Sequence, residues 1–237
     1  MKNTLPTDVR VLIDLWESPQ RKLPKVIRWK KYLAEKPGVR KQNSLQHSHS
    51  ITMLGIMMVG LLRPFIKLNE GILISALAVH DVGEGEIGED THYIDKSVSG
   101  DLREYRAFRE TYGVLDKAAF KNLHHAFLLQ FARKNPKEFP DDARAIMTTL
   151  YRKYKFEAIA FDAIERWDYV LFAIEQYLRR ENRKVLVQTL RNQAPHLDRL
   201  ANELPGFGET VWTNTLSAWC AEFMLSLNGR WEETKAA

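Results

Sequence analysis

The chain has 237 residues, of which 45% are hydrophobic and 27% are charged, a balance typical of a folded globular protein with one sizeable core. Its single cysteine, Cys220, excludes an internal disulfide framework, and this predicts a reducing, cytoplasmic environment. No apolar run has the length of a membrane span or the character of a signal peptide, so we expect no association with membranes.

The formal net charge of +5 is modest, but the basic residues are concentrated in one segment. Nine lysines and arginines and only one acidic residue, Glu35, lie between Arg21 and Lys41. Such a run is most often the solvated face of a helix. If it has a function, its positive electrostatic field would attract a phosphorylated ligand. Only Trp29 and Tyr32 are interleaved with the charges, so an extended nucleic-acid track is the weaker hypothesis.

Helical periodicity runs through nearly the whole chain. The predicted helices cover residues 9–16, 24–34, 44–62, 70–81, 102–112, 115–133, 143–177, 185–200 and 211–227. We predict that the first ends at Ser18-Pro19, that the apolar stretch 51–62 is a buried core helix, and that 143–177 is broken near Lys155. Residues 92–100 are polar and rich in turn formers, and we expect them to form a loop over the acidic residues before them.

No segment alternates with period two over the length of a strand, and no repeat, low-complexity tract or linker is present. The sequence therefore predicts one all-α domain over residues 1–237, with a core at about 25–180 and a helical C-terminal extension at about 181–237. Trp212 and Trp219 of this extension either form a homodimer interface or complete the core.

An imidazole and a carboxylate, His80 and Asp81, end the apolar run of residues 71–79. Burying ionisable groups without a partner costs several kcal/mol, so they need a compensating charge, and a divalent cation is the simplest one. His47 lies on the apolar stripe of the preceding predicted helix, and His49 on a neighbouring face is its rival. Two such helices can bring two rings to one point.

A site of neutral imidazole and carboxylate ligands suits Mn, Fe, Co, Ni or Zn, and mixed sites also take Mg. No cysteine lies near the histidines, which argues against a structural zinc site. A bound cation lowers the pKa of its water and polarises a phosphoryl oxygen, so hydrolysis is the expected chemistry. Glu84, one turn after His80, is a further carboxylate in the same region.

Three stretches carry a family resemblance: Arg28-Trp29, Gly38-Val-Arg-Lys-Gln-Asn-Ser-Leu-Gln-His47-Ser, and His80-Asp81-x-x-Glu84-x-x-x-Gly. Together they resemble motifs of the HD-domain metal-dependent phosphohydrolases, and within these the 5′-deoxynucleotidase group. The resemblance covers about residues 25–180 and implies an HD-domain helical bundle. It selects His47 over His49 as the first metal ligand. It also implies that His80 and Asp81 are metal ligands and that Glu84 is catalytic.

The acid that follows the motif glycine is an aspartate in this family. Here it is Glu89, or Asp90 if one residue is inserted. Asp90 also restores the register of Lys96, so the resemblance favours Asp90 as the acid that contacts the substrate.

The resemblance also implies residues that bind the substrate. Arg28 and Trp29 match an arginine–tryptophan pair that lies near the phosphate and the base. Arg40 and Lys96 are expected to help Arg28 neutralise the phosphate charge.

Two carboxylates compete for the place of the fourth metal ligand. Glu165-Arg-Trp-Asp168-Tyr169 resembles the Asp-Arg/Lys-x-Asp-Tyr signature of the members that act on nucleoside triphosphates, with Glu165 at the ligand position. Ala160-Phe-Asp162-Ala-Ile resembles the Ala-Ala-Asp-Ala-Leu form of the monophosphatases. The two alignments are about one turn apart and exclude each other, so both alternatives stay open.

The resemblance implies a metal-dependent phosphoric ester hydrolase that removes the 5′-phosphate of deoxyribonucleoside monophosphates, a small-molecule nucleotide substrate. A first alternative is a dNTP triphosphohydrolase of the same superfamily. A second is a nucleotide-binding module that keeps the fold and has lost the chemistry. A third, suggested by the basic segment alone, is a nucleic-acid-binding protein.

Overall fold

Helices form nearly all of the regular structure in the computed structural model, which describes residues 7–90 and 97–233. The helices are α1 (Thr7–Lys22), α2 (Lys30–Leu33), α3 (Ser44–Leu62), α4 (Glu70–Val79), α5 (Val82–Ile87), α6 (Val98–Tyr112), α7 (Lys117–Ala132), α8 (Asp141–Lys153), α9 (Lys155–Arg180), α10 (Arg183–Glu203), α11 (Phe207–Thr210) and α12 (Asn214–Glu233). A 3₁₀ turn covers Leu23–Lys25. The predicted all-α class is confirmed, and so is the predicted break near Lys155.

The sheet content of these residues is one antiparallel pair of two-residue strands, β1 (Ile27–Arg28) and β2 (Gln42–Asn43). In its register Ile27 pairs with Asn43 and Arg28 pairs with Gln42. Strands of this length are too short to produce a visible alternation in the sequence. The pair ties the basic segment to the start of α3, since β2 runs directly into that helix.

The longest helix, α9, lies at the centre of the fold and packs against α3, α4, α7 and α10. Its fully buried side chains follow one another at three- and four-residue spacing, as expected of a helix with a wide apolar face. They are mostly small, which lets neighbouring helices approach closely; they include Ala160, Ala163, Ile164, Val170 and Ala173. Polar side chains in the middle of α9 therefore meet the ends of α3 and α4.

The start of α3 is fixed by a capping box. The side chain of Asn43 accepts a hydrogen bond from the backbone N–H of Gln46, and the side chain of Gln46 accepts one from the N–H of Asn43. This arrangement satisfies backbone donors that a helix start otherwise leaves unpaired. It also holds the first turn, which carries His47, in a defined orientation.

The chain breaks its helical path at His80 and Asp81. The predicted helix 70–81 ends at Val79, and α5 begins at Val82. α5 then packs so tightly on α6 that a Cβ at Gly83 would lie 2.7 Å from the carbonyl oxygen of Glu104. Glycine is required there because no larger residue allows this backbone approach. The break brings His80, Asp81 and Glu84 close together in the chain, and the side chains of all three are buried.

The C-terminal extension shares its packing with the rest of the chain. α10 lies along α9, and both α11 and α12 contact α10. Trp212 is buried and packs edge-to-face on Trp167 of α9, with ring centroids 5.7 Å apart. Trp212 thus completes the core, whereas Trp219 is 40% exposed. Cys220 is buried, and burial raises the pKa of its thiol to about 11. Homodimer formation stays a prediction.

Two predictions about the first helices were wrong. α1 continues through Pro19 to Lys22, because Ser18 and Lys22 both donate hydrogen bonds to the carboxylate of Glu86 on α5. The predicted helix 24–34 is instead the 3₁₀ turn, β1 and α2. Its buried residues Val26, Trp29 and Tyr32 have helical spacing but belong to three different local structures.

The prediction that 51–62 is a buried core helix holds for one side of α3 only. Ile51, Met58 and Leu62 are buried, while Ile56 and Met57 are more than half exposed. No helix in the described part of the chain combines the length and the apolar character that a membrane crossing needs. Of the predicted loop 92–100, residues 92–96 lie outside the described ranges, and 98–100 form the first turn of α6.

Candidate metal centre

Two buried imidazole rings face each other where α3, α4 and α9 meet. His47 lies in the first turn of α3 and is 0% exposed, and His80 directly follows α4 and is 2% exposed. Their Nε2 atoms are 3.2 Å apart. The structure thus brings these two predicted ligands together, whereas His49, the rival of His47, is exposed on α3.

Hydrogen bonds at the far side of each ring determine which nitrogen carries the proton. Nδ1 of His47 is 3.0 Å from Oδ2 of Asp168, and Nδ1 of His80 is 2.8 Å from the carbonyl oxygen of Leu77. A carboxylate and a carbonyl oxygen only accept hydrogen bonds, so each Nδ1 carries the hydrogen. In the neutral rings both Nε2 atoms therefore present lone pairs to each other, and Nε2 of His80 also lies 3.0 Å from the carboxylate of Asp81. Only a proton or a metal cation among these acceptors makes the arrangement favourable.

Asp81 completes a three-residue cluster with the two histidines. Its Oδ1 is 3.0 Å from Nε2 of His80, and its Oδ2 is 3.9 Å from Nε2 of His47. One ligand atom from each of the three residues lies within 4.8 Å of the other two. Burial by itself raises the pKa of Asp81, but His80, Arg28 and His47 lower it far more, so its carboxyl is charged. Burial lowers the pKa of His80, but Asp81, together with Glu165 and the carbonyl of Leu77, raises it overall.

The cluster fits a divalent cation. Two nitrogens that each lie about 2.1 Å from one ion are about 3.0–3.4 Å apart, depending on whether the ligands are octahedral or tetrahedral. The observed Nε2–Nε2 distance of 3.2 Å lies in that range. Two imidazoles and a carboxylate form a donor set that Mn, Fe, Co, Ni and Zn accept.

The two predicted alternatives for a fourth ligand on α9 differ sharply in the structure. Oδ2 of Asp162 lies 2.9 Å from Arg133, and its Oδ1 lies 2.8 Å from Nε of Arg166. These two guanidinium groups take up the carboxylate, so Asp162 is placed outside the cluster and the prediction that assigned it as a ligand is not supported.

Glu165 lies near enough to His80 for its charge to act on that ring. Its negative charge is one of the influences that raise the pKa of His80, which places the carboxylate in the neighbourhood of that ring. Its Oε1 also accepts a hydrogen bond of 2.8 Å from the hydroxyl of Tyr169. Of the two α9 alternatives, Glu165 is thus the carboxylate that the fold brings toward the histidines.

Asp168 contacts a candidate ligand, and the sequence predicted no role for it beyond its place in the Glu165–Tyr169 signature. It lies three residues after Glu165, hence on the same face of α9, and the signal that could have found it is the pairing of two carboxylates at that spacing. A carboxylate on the Nδ1 of a metal-binding histidine fixes the orientation and tautomer of the ring.

Arg28 is a buried cation among the carboxylates of the site. Its Nη1 lies 3.2 Å from Asp81, 3.6 Å from Asp90 and 3.7 Å from Glu84. Burial by itself lowers the pKa of Arg28, but these carboxylates, Asp81 foremost, raise it well above its ordinary value. Arg28 is therefore a permanent positive charge that balances part of the acidic cluster.

Glu84 is fully buried beside the cluster. It is the third residue of α5, and its Oε2 accepts a hydrogen bond of 3.3 Å from the hydroxyl of Ser44, the first residue of α3. The same oxygen is the one that approaches Arg28. The carboxylate is thus held between the first turns of two helices, next to the residues that can hold a metal.

Trp29, expected to stack on a base, is a core residue. Its indole is 3% exposed and stacks on Phe172, with ring centroids 4.5 Å apart and an angle of 10° between the planes. Its Nε1 donates a hydrogen bond of 3.1 Å to Gln42. Trp29 directly follows β1, and its indole lies in the core. The prediction that this side chain contacts a base is therefore not supported.

Arg40 belongs to the same aromatic layer. Its guanidinium lies 3.1 Å from Glu175 and sits over the ring of Phe172, and its backbone N–H donates to Gln176. These contacts attach it to the C-terminal half of α9. Lys96, the remaining predicted substrate-binding residue, lies outside the described residues.

Comparisons with known proteins bear on the fold. No protein-family model matches the chain, and no curated protein matches it. Among solved structures, the chain is similar to one described as a predicted metal-dependent phosphohydrolase from Magnetospirillum magnetotacticum MS-1. The TM-score is 0.56 and the sequence identity 16%, over 96% of this chain and 97% of the other. Since the identity is low, this match establishes a shared fold.

Proposed function

We propose that the protein is a metal-dependent phosphohydrolase of the HD type. The observation that carries this proposal is the pair of buried Nε2 atoms 3.2 Å apart, each turned into an acceptor by a hydrogen bond on its Nδ1. The motif resemblance supports the proposal, as does the fold shared with a structure whose description names a metal-dependent phosphohydrolase.

The ligands of the cation would be His47, His80 and Asp81, with Glu165 as the fourth ligand from α9. A bound divalent ion supplies Lewis acidity toward a phosphoryl oxygen and lowers the pKa of a coordinated water. The buried position of the cluster strengthens both effects, because charges interact more strongly where water is excluded.

Glu84 is the residue that orients the attacking water and accepts its proton. Its carboxylate lies within one helical turn of Asp81, and Arg28 and Ser44 hold one of its oxygens. A positioned general base of this kind contributes about 10²- to 10⁴-fold to a rate. Arg28 is placed to offset negative charge that develops on the phosphate, and Asp90, 3.6 Å away, holds the guanidinium and contacts the substrate.

The proposed substrate is a deoxyribonucleoside 5′-monophosphate, in agreement with the resemblance to the 5′-deoxynucleotidase group. The second candidate activity is hydrolysis of a dNTP to a nucleoside and triphosphate. Its supporting observation is the position of Glu165 near His80, because Glu165 and Asp168 belong to the signature of the triphosphate members.

Product analysis tests both activities. Protein loaded with Mn²⁺ or Co²⁺ is incubated with each deoxyribonucleoside monophosphate and triphosphate, and the released anion is identified. Inorganic phosphate from a monophosphate supports the first activity, and triphosphate from a dNTP supports the second. Loaded protein that binds nucleotides without releasing any of these anions would contradict the proposal and favour a binding module.

A variant of Glu84 tests the assigned base. For Glu84→Gln we expect kcat to fall roughly 10²- to 10⁴-fold, because the amide cannot accept the proton, while bound metal stays at the wild-type level. Glu110→Gln, an exposed position on α6, is the matched control and keeps full activity. A Glu84→Gln protein with wild-type kcat would remove Glu84 from the mechanism.

A further inference from the structure

A polar cavity of about 190 Å³ lies beside the metal centre, between α7, α9 and α10. Glu165 and Tyr169 form the part of its wall that is nearest to the cluster, since Tyr169 also lies 3.4 Å from Arg28. Gln130 lines the cavity and donates a hydrogen bond of 3.2 Å to the carbonyl oxygen of His80. A group attached to a phosphate at the centre has this space directly next to it.

Two glutamine amides in the cavity wall are held in fixed orientations. Nε2 of Gln130 donates to the carbonyl oxygens of His80 and Phe127, which leaves Oε1 as an acceptor. Oε1 of Gln193 accepts a hydrogen bond of 2.8 Å from Arg166, which leaves Nε2 as a donor. The wall thus offers one acceptor and one donor that are oriented before any ligand arrives.

Charges of both signs line the cavity wall. Three carboxylates line it, those of Asp101, Asp162 and Glu165, together with two cations, Lys134 and Arg166. Asp162 is paired with Arg166 and with Arg133, so its charge is already balanced. Among the described residues the wall therefore presents no cluster of cations of the kind that a chain of additional phosphates needs.

We propose that this cavity binds the uncharged nucleoside portion of the substrate and excludes further phosphate groups. In this arrangement Oε1 of Gln130 accepts a hydrogen bond from the nucleoside and Nε2 of Gln193 donates one to it. The assignment rests on the proposed function, because it takes the phosphate to lie at the His47–His80–Asp81 cluster.

Calorimetric titration with nucleosides tests the cavity without any phosphate chemistry. The four common deoxyribonucleosides are titrated separately into Mn²⁺-loaded protein, and we expect saturable binding of at least one. Gln193→Glu keeps an oxygen acceptor for Arg166 but replaces the amide donor with a charged acceptor, so we expect it to weaken that binding roughly tenfold, the loss of one hydrogen bond. Gln20→Glu, on the exposed surface of α1, is the matched control and binds as the wild type does.

Variants of Lys134, which is exposed at the rim of the cavity, provide a test that does not disturb the core. Lys134→Trp fills the space and is expected to weaken nucleoside binding, whereas Lys134→Ala leaves the space open and is expected to weaken it far less. Absence of nucleoside binding, or equal binding by wild type, Gln193→Glu and Lys134→Trp, overturns the cavity assignment. Protein that binds nucleosides but hydrolyses no phosphoester keeps the assignment and overturns the proposed activity instead.

Discussion

The carboxylate of Asp168 lies 3.0 Å from Nδ1 of His47, while Nε2 of the same ring faces His80 at 3.2 Å. One residue of the central helix thereby fixes both the orientation and the tautomer of a ring on another helix. Partners of this kind typically account for about 10- to 100-fold in metal affinity.

We therefore expect Asp168→Ala to bind Mn²⁺ roughly 10- to 100-fold more weakly than the wild type, because His47 loses its tautomeric preference and can turn. Competition titration with a metal-sensitive dye measures this affinity. Asp14→Ala, at an exposed position on α1, is the control and retains wild-type affinity. An unchanged affinity in Asp168→Ala would show that the carboxylate has no positioning role.

A second prediction concerns Arg28. Arg28→Ala leaves the buried carboxylates of Asp81, Glu84 and Asp90 without their shared cation, and the loss of one partner from a buried ion cluster costs ~3–5 kcal/mol of the free energy of unfolding. Urea denaturation measures it, and added Mn²⁺ should restore part of the loss by replacing the missing charge. Arg10→Ala, exposed on α1, should be neutral. Equal stability of the two variants would contradict the account of Arg28 as a counter-charge.

The third prediction separates core packing from base recognition at Trp29. Because the ring is buried against Phe172, Trp29→Ala should lower the free energy of unfolding by about 3–5 kcal/mol, while the KM for nucleotides stays at the wild-type value. Trp16→Ala, at a side chain that is 68% exposed, is the control and should leave stability nearly unchanged. A rise in KM with unchanged stability would restore the role of Trp29 in binding a base.

The fourth prediction is a pH dependence of stability that arises far from the catalytic chemistry. Nη1 of Arg109 donates to the hydroxyl oxygen of Tyr105, and that hydroxyl lies 3.2 Å from Nε2 of His124, so Nε2 accepts its hydrogen. Burial, followed by the charge of Arg109, lowers the pKa of His124 to about 4. In the unfolded chain the pKa is about 6.5.

Between these two pKa values the unfolded chain binds the additional proton, so this contribution to stability is complete above pH 6.5 and is lost as the pH falls from 6.5 toward 4. In His124→Gln, which cannot titrate, the Tm should fall less steeply over this range. Thermal melts from pH 7 to pH 4.5 measure it, with His49→Gln at an exposed position as control. Parallel curves for wild type and His124→Gln would rule out this origin.

Several features of the fold and of the centre follow from spacing alone. His47, Ile51, Leu54 and Met58 share one helical face, and all four are buried on α3. The apolar run that ends at His80 likewise predicts α4 to within two residues of its observed end. The spacing of apolar residues and the residues that end a helix are local features of the chain, so they can be identified from the sequence alone.

Contacts between distant segments could not be predicted in this way. Glu86 stabilises the last turn of α1 although it lies 68 residues after Ser18, and this contact outweighs the tendency of Pro19 to end the helix. Asp162 and Glu165 are both acidic and lie one helical turn apart on α9, and the ion pairs of Asp162 with Arg133 and Arg166 distinguish them. The helical spacing within 26–32 arises from Val26 after the 3₁₀ turn, Trp29 between β1 and α2, and Tyr32 in α2, so periodicity there indicated the wrong structure.

The central claim is that the imidazoles of His47 and His80 and the carboxylate of Asp81 hold one divalent cation, and anomalous diffraction from crystals grown with Mn²⁺ tests it most directly. We predict one strong peak about 2.0–2.3 Å from Nε2 of both rings and from an oxygen of Asp81, and its loss in His80→Ala. A fully loaded crystal with Mn²⁺ elsewhere, or with none between the two rings, would contradict the account.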